Sequence, residues 1–355
     1  VNIPALTGPR VTDRTLREHL PGWHIAPPFI NPHDHLELHH YPRTLADAPY
    51  PSAHTWGEAV NARLNEPAFA RLRAHPIEAR VFVGAMTNLL CGALTVAHHN
   101  PPHRPLWARG FPVHVVRRYG WAHSLHFTPP QAVQAAYRAT PRGAPFFIHL
   151  AEGTDGRAAA EYRALDRLGV VGPDTVLIHG VGLTAADVAD AARRVRGLVI
   201  CPTTNAALLG ARPPIAAWLA AGGRLAIGSD SPLTADGDWL TEWHAAPPNA
   251  QQAHLRDAAA IVHGAWGGLH RPRTGDWLAW RGDATPTARA QIGLIVRDGV
   301  PQMGDPDAMR MFPHVQTVAA VLDGVPKHLN RRLAARVRAC PLPIRGLTLE
   351  PDRAG

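Results

Sequence analysis

The sequence predicts a distorted (β/α)8 barrel with a small, reduced β domain contributed by the chain ends. Two observations carry this expectation. Short apolar runs alternate with stretches of helical composition, as in a parallel α/β sheet. Four of those runs also end on residues suited to a divalent metal: His33 and His35 after 29–32, His149 after 144–148, His179 after 175–178, and Asp230 after 225–229. Side chains at the C-terminal ends of separate parallel strands converge only if the strands share one mouth, and that face carries the active site in such barrels. The 355 residues suffice for one barrel with appendages.

In chain order, residues 1–28 are a short opening without a long alternating pattern, read as the N-terminal piece of the β domain. Residues 29–265 are read as the barrel, with strands at 29–34, 93–97, 113–116, around 120–125, and then at 144–149, 175–179 and 225–230. Helical composition fills 130–138 and 184–194 between them. Proline pairs at 27–28, 101–102, 129–130, 213–214 and 247–248 mark loops, because proline disfavours helix at and just before its own position. In the C-terminal part, 266–355, the runs 292–300 and 318–325 share one form: apolar strand, Asp-Gly, valine. Asp298-Gly299 and Asp323-Gly324 are therefore hairpin signals, and 327–340 reads as a terminal helix.

Residues i and i+2 of a strand point the same way, so His33 and His35 can face one ion. Imidazole nitrogen mixed with carboxylate oxygen suits a divalent metal. Each position has an ordinary alternative: a chance H-x-H among 22 histidines, a satisfied core His179, a solvated loop charge at Glu152, a plain turn at Ser229-Asp230-Ser231. The ordered set argues against coincidence.

Together these residues resemble the amidohydrolase superfamily, whose pattern is H-x-H after strand one, His after strands five and six, and Asp after strand eight. His149-Leu150-Ala151-Glu152-Gly153 is similar to the H-x-x-E turn of its deaminase and s-triazine hydrolase branch, and Cys201-Pro202-Thr203-Thr204-Asn205 is similar to that branch's seventh strand. The resemblance covers residues 28–325. Binuclear members bridge two metals with a carboxylated lysine on strand four, but the only lysine here is Lys327, and 120–125 offers no glutamate in its place. One metal ion is therefore expected, with zinc favoured and iron the alternative; His123 and Cys201 are the residues placed for a second ligand set.

The resemblance implies His33, His35, His149 and Asp230 as ligands, with His179 just outside or completing the shell. It further implies that Asp230 hydrogen-bonds the attacking water and that His179 orients that water or polarises the atom attacked. Glu152 would carry a proton from the water to the departing nitrogen. A divalent ion lowers the pKa of bound water from about 15.7 towards 7, worth on the order of 12 kcal/mol. A positioned acid or base adds about 3 to 5 kcal/mol. The metal is the larger contribution.

His98, His99, Trp121, His123 and Asn205 are expected at the substrate end, with Trp239 and Trp243 as an aromatic wall. Such a site suits a flat, nitrogen-bearing small molecule. The expected activity is hydrolysis of a C–N bond in such a molecule, deamination foremost. A cyclic amide or amide side chain is the alternative substrate, and a barrel that binds a ligand without chemistry is the alternative of another class. A homodimer is compatible with the resemblance.

An apolar fraction of 46% and a charged fraction of 18% describe a globular protein. No run of 18 apolar residues suggests a membrane span. Cys91, Cys201 and Cys340 are odd in number and widely spaced, which points to a reducing compartment and the cytoplasm. The net charge of +8 comes from scattered arginines, with Arg117-Arg118 and Arg331-Arg332 the densest pairs. Without a basic stripe interleaved with aromatics, neither nucleic acid nor a membrane surface is an expected partner.

Overall fold

The computed structural model describes residues 11–264 and 275–351, so the expected boundary at 265/266 lies outside the described residues. Eight barrel strands follow in chain order: Phe29–Asp34, Ala93–His98, His114–Val115, Gly120–Ser124, Phe146–Leu150, Thr175–His179, Gly197–Ile200 and Leu225–Ile227. The first three form one parallel ladder and the last five another. Among the described residues no ladder joins the third strand to the fourth, which is the barrel's distortion. Closure between the eighth and first strands is made by a parallel Asp34–Asp230 bridge, with the Ser229 N–H donating to the His33 carbonyl at 3.0 Å.

The fifth to eighth strands, buried along their whole length, read as near-continuous apolar runs because both faces are covered. Phe147, Val176, Ile178, Val199 and Ala226 form one buried cluster, against which Ile30, Tyr119 and Trp121 pack. Alternate residues, including Phe146, Ile148, Leu177 and Leu198, join the larger cluster formed with the surrounding helices. An insertion between the first two strands carries helices Ala53–Ala62 and Pro67–Arg73 before Ile77–Leu90. Ser52 caps the first of these, its hydroxyl accepting from the Thr55 N–H.

A second, antiparallel sheet of seven strands has the order His24–Ala26, Trp277–Trp280, Ile292–Arg297, Val300–Gly304, Val325–Asn330, Thr317–Leu322, Leu347–Leu349. Among the described residues, the N-terminal contribution is a single three-residue strand and the C-terminal part supplies six. Both Asp-Gly pairs close hairpins with positive φ at each residue: 51° and 77° at Asp298 and Gly299, 49° and 84° at Asp323 and Gly324. Such paired left-handed residues match the twist of the flanking strands. The terminal helix spans Arg331–Ala339 rather than 327–340. Six positions of antiparallel pairing with Thr317–Leu322 claim the preceding residues. In that strand Lys327 is buried, and its Nζ donates to the Ile292 carbonyl at 2.8 Å and to Asp305 Oδ1 at 2.6 Å.

Candidate metal centre and active site

At the C-terminal mouth, one nitrogen or oxygen from each of His33, His149, His179 and Asp230 lies within 4.8 Å of the others. The backbone turns them inward at the strand ends. His179 and Asp230 have φ of 73° and 57°, values that non-glycine residues seldom adopt. Asp230 Oδ1 is 3.3 Å from His33 Nε2 and 3.4 Å from His35 Nε2, while its Oδ2 accepts from the Thr234 hydroxyl at 3.1 Å. His33 Nε2 and His149 Nε2 are 3.3 Å apart.

This changes the emphasis of the sequence-based ligand set. His179 belongs to the close quartet, whereas His35, one residue beyond the first strand, stands beside it with Nδ1 buried and unpartnered.

Neighbouring groups leave Nε2 of His149 and of His33 free to bind a cation. His149 Nδ1 lies 2.8 Å from the His123 carbonyl, so it carries the proton and Nε2 carries the lone pair. His99 Nε2 lies 2.9 Å from the Ala122 carbonyl, which makes His99 Nδ1 an acceptor for the His33 Nδ1–H at 3.2 Å; His33 Nε2 is then bare. Asn205 Nδ2 donates to His179 Nδ1 at 3.0 Å, which orients that ring but leaves its proton on Nε2; ligation through Nε2 needs the amide turned to present Oδ1, which has no partner here. Burial, reinforced by neighbouring histidines, pushes His149 well below the usual imidazole pKa; burial likewise pushes His35 and His179 down to about 3. Neutral rings are what ligation requires. Burial alone would raise Asp230, but its hydrogen bond with His33 counters that, and the carboxyl is held below its usual value. Three neutral imidazoles and one carboxylate fit a single divalent ion.

Beside this group lies a cavity of about 360 Å³ lined by His35, His123, His149, Glu152, His179 and Asp230 on its polar side. Leu38, Tyr41, Trp56, Val60, Leu64, Phe69 and Phe127 form its apolar side. Glu152 Oε1 is 3.4 Å from His179 Nε2. Burial, with the charges of Asp230 and Glu161, raises the Glu152 carboxyl well above its usual pKa.

Of the residues expected at the substrate end, His123 lines the cavity and the others do not. His98 is buried 3.6 Å from Glu37 Oε2, and His99 lies behind His33. Trp121 packs within the barrel, edge-on to His99 at 5.7 Å between ring centroids. Asn205 lies behind His179. Strand position gave these residues a place near the mouth, but their side chains turn beneath the ligands. Trp239 and Trp243 are core residues packed on Phe29, so they form no wall to the site. Cys201 is buried in the barrel cluster and belongs to no ligand group among the described residues.

Sequence reasoning missed the cavity's apolar residues from the insertion. It also missed Asp34, which faces away from the two histidines. Its carboxylate accepts from Asn31, Asn88, Ser229 and His39, tying the first strand to the eighth and to helix Ile77–Leu90. The alternation of a strand signals that outward direction for Asp34; nothing in the spacing signals its partners.

No family model matches the chain. A curated relative, hydroxydechloroatrazine ethylaminohydrolase from Pseudomonas sp. (strain ADP), is 37% identical over 120 residues, or 32% of this chain. The match spans 25% of that relative's own length. A solved triazine hydrolase variant superimposes with a TM-score of 0.62 at 16% identity, over 96% of this chain and 93% of its own. Atrazine chlorohydrolase from Arthrobacter aurescens, complexed with zinc, gives 0.59 at 16% identity over 85% and 89%. An adenosine deaminase from Xanthomonas campestris with bound zinc gives 0.55 at 17% identity over 90% and 87%. The shared feature is the fold.

Proposed function

We propose that this chain is an enzyme of the amidohydrolase superfamily, a mononuclear, divalent-metal hydrolase that breaks a C–N bond of a small nitrogen-bearing heterocycle and releases ammonia or an amine. The observation that carries the reading is a cavity in which His149, His179 and Asp230 of the quartet meet a buried, readily protonated Glu152. The ethylaminohydrolase relative and the deaminase fold neighbour support a departing nitrogen; the zinc in two of the neighbours supports zinc.

The quartet, with His35 beside it, would hold the ion, which supplies the Lewis acidity that brings hydroxide within reach of neutral pH. Asp230, fixed through Oδ2 by Thr234, keeps Oδ1 turned to the site and hydrogen-bonds the attacking water. Glu152 takes a proton from that water and delivers it to the departing nitrogen, a task that suits a carboxyl of raised pKa. Glu152 Oε1 lies 3.4 Å from His179 Nε2, which sets the carboxyl beside the quartet. The apolar side of the cavity excludes water and takes the flat face and substituents of the substrate. Cys91, Cys201 and Cys340 are all free thiols, which supports a cytoplasmic setting.

Metal content per chain, measured on freshly purified protein beside His33→Ala, tests the centre. One zinc or iron, lost in the variant, is expected; two metals would overturn the mononuclear reading. Ammonia and amine release is then measured across aminated and alkylaminated heterocycles. Glu152→Gln should keep the metal and lose about 10²- to 10⁴-fold in kcat; an undiminished rate removes the proton carrier. Opening of cyclic amides without release of ammonia or amine would select the amide alternative.

A further inference from the structure

The turn that presents Glu152 is held from outside the barrel. Ala151 has φ of 52°, and its N–H donates to Glu161 Oε2 at 2.6 Å. Glu161 lies on helix Gly156–Arg167 and is itself buried. Its other oxygen, Oε1, is 2.9 Å from Nε2 of His54, a buried residue of helix Ala53–Ala62. The backbone makes the same connection. The Ala53 N–H donates to the Glu152 carbonyl at 2.9 Å, and the Thr154 N–H to the Pro51 carbonyl at 2.8 Å, around an antiparallel Ser52–Gly153 bridge. A Cβ on Gly153 would stand 2.7 Å from Ser52 Cβ and 2.8 Å from the Pro51 carbonyl oxygen, so the two segments touch without room for a side chain.

Helix Ala53–Ala62 also brings Trp56 and Val60 to the apolar side of the cavity, and His54 lines the cavity with an Nδ1 that has no hydrogen-bond partner. Substrate pressing on this helix therefore presses on a unit that includes the Glu152 turn.

We propose that Glu161 is a positioning residue that couples the seating of helix Ala53–Ala62 over the substrate to the placement of Glu152, with His54 as its partner on that helix. The inference rests on the reading of Glu152 as the proton carrier. One carboxylate satisfies two donors from two segments, so its loss frees both. Contact energy from the apolar side is then expressed in turnover rather than in binding alone.

The test compares metal-loaded wild type with Glu161→Ala, Glu161→Gln and His54→Gln. In Glu161→Ala, amide hydrogen exchange at 150–154 and 51–56 should accelerate about tenfold or more while the barrel strands stay unchanged. Glu161→Gln keeps an oxygen for the Ala151 N–H and should stay near wild type at 150–154. His54→Gln should loosen 51–56 more than 150–154. On a substrate found by the heterocycle panel, Glu161→Ala should lower kcat by about 10- to 100-fold with KM little changed, and Glu161→Gln should recover most of the rate. Unchanged exchange in both segments, loosening spread evenly over the barrel, or equal impairment of the Ala and Gln variants would overturn the proposal. If the panel yields no turnover, exchange still decides the coupling, and the failure falls on the proposed reaction alone.

Discussion

His179 and Asp230 hold left-handed backbone, a strain of about 1 to 3 kcal/mol each that the surrounding hydrogen bonds must sustain. Asn205 belongs to that support, so Asn205→Ala should weaken metal binding by about 10- to 100-fold, read by competition with a chelator. His254 offers a test independent of metal. Burial pushes it down to about 3, and its Nδ1 accepts the Ile227 N–H at 3.0 Å, so the native state holds it neutral. The unfolded chain binds the proton more readily, so stability is complete above pH 6.5 and falls as pH drops below it, by about 2 kcal/mol at pH 5 for this one group. His254→Asn keeps an acceptor and should flatten that part of the denaturation profile; an unchanged slope would count against it. At this scale the strand-end residues were legible, because a polar residue closing an apolar run is conspicuous. His99 and Asn205 were misplaced because chain position gives the strand end but not which side the ring or amide faces.

The eighth strand shows how little room the elements leave. A Cβ on Gly228 would lie 2.7 Å from His33 Cβ and 3.0 Å from Val199 Cγ1. Gly228→Ala should therefore displace the first ligand strand, costing about 1 to 3 kcal/mol by thermal or denaturant melting and lowering metal occupancy. Full occupancy with an unchanged melt would show that the strand yields freely. Seven barrel strands were legible, and so were the two Asp-Gly hairpins as turns between apolar runs. The seventh in chain order was displaced: the strand is Gly197–Ile200, and 202–205, likened to it in sequence, open helix Pro202–Leu209. The insertion was not legible. Helices Ala53–Ala62 and Pro67–Arg73 carry no ligand motif, and their apolar residues acquire meaning only by standing over the cavity. Residues 327–330 looked helical because the Asp323-Gly324 turn signals a returning strand but not how far it runs; pairing continues to Asn330, opposite Thr317.

The molecule joins a barrel that carries the site to a sheet drawn from both sides of it in sequence. The strand-helix alternation made the barrel legible. The extent of the sheet was hidden because strands such as His24–Ala26 and Leu347–Leu349 are too short to display alternation. Lys327 anchors that sheet rather than a second metal. Asp305→Ala should cost about 3 kcal/mol by leaving a buried ammonium without its carboxylate, whereas Lys327→Met should melt closer to wild type. Burial of this sequence's sole ε-amine also has an analytical use. Acylating reagents reach Lys327 only when the terminal sheet opens, so the mass shift of the peptide containing it, followed over time, clocks that opening separately from events at the barrel mouth.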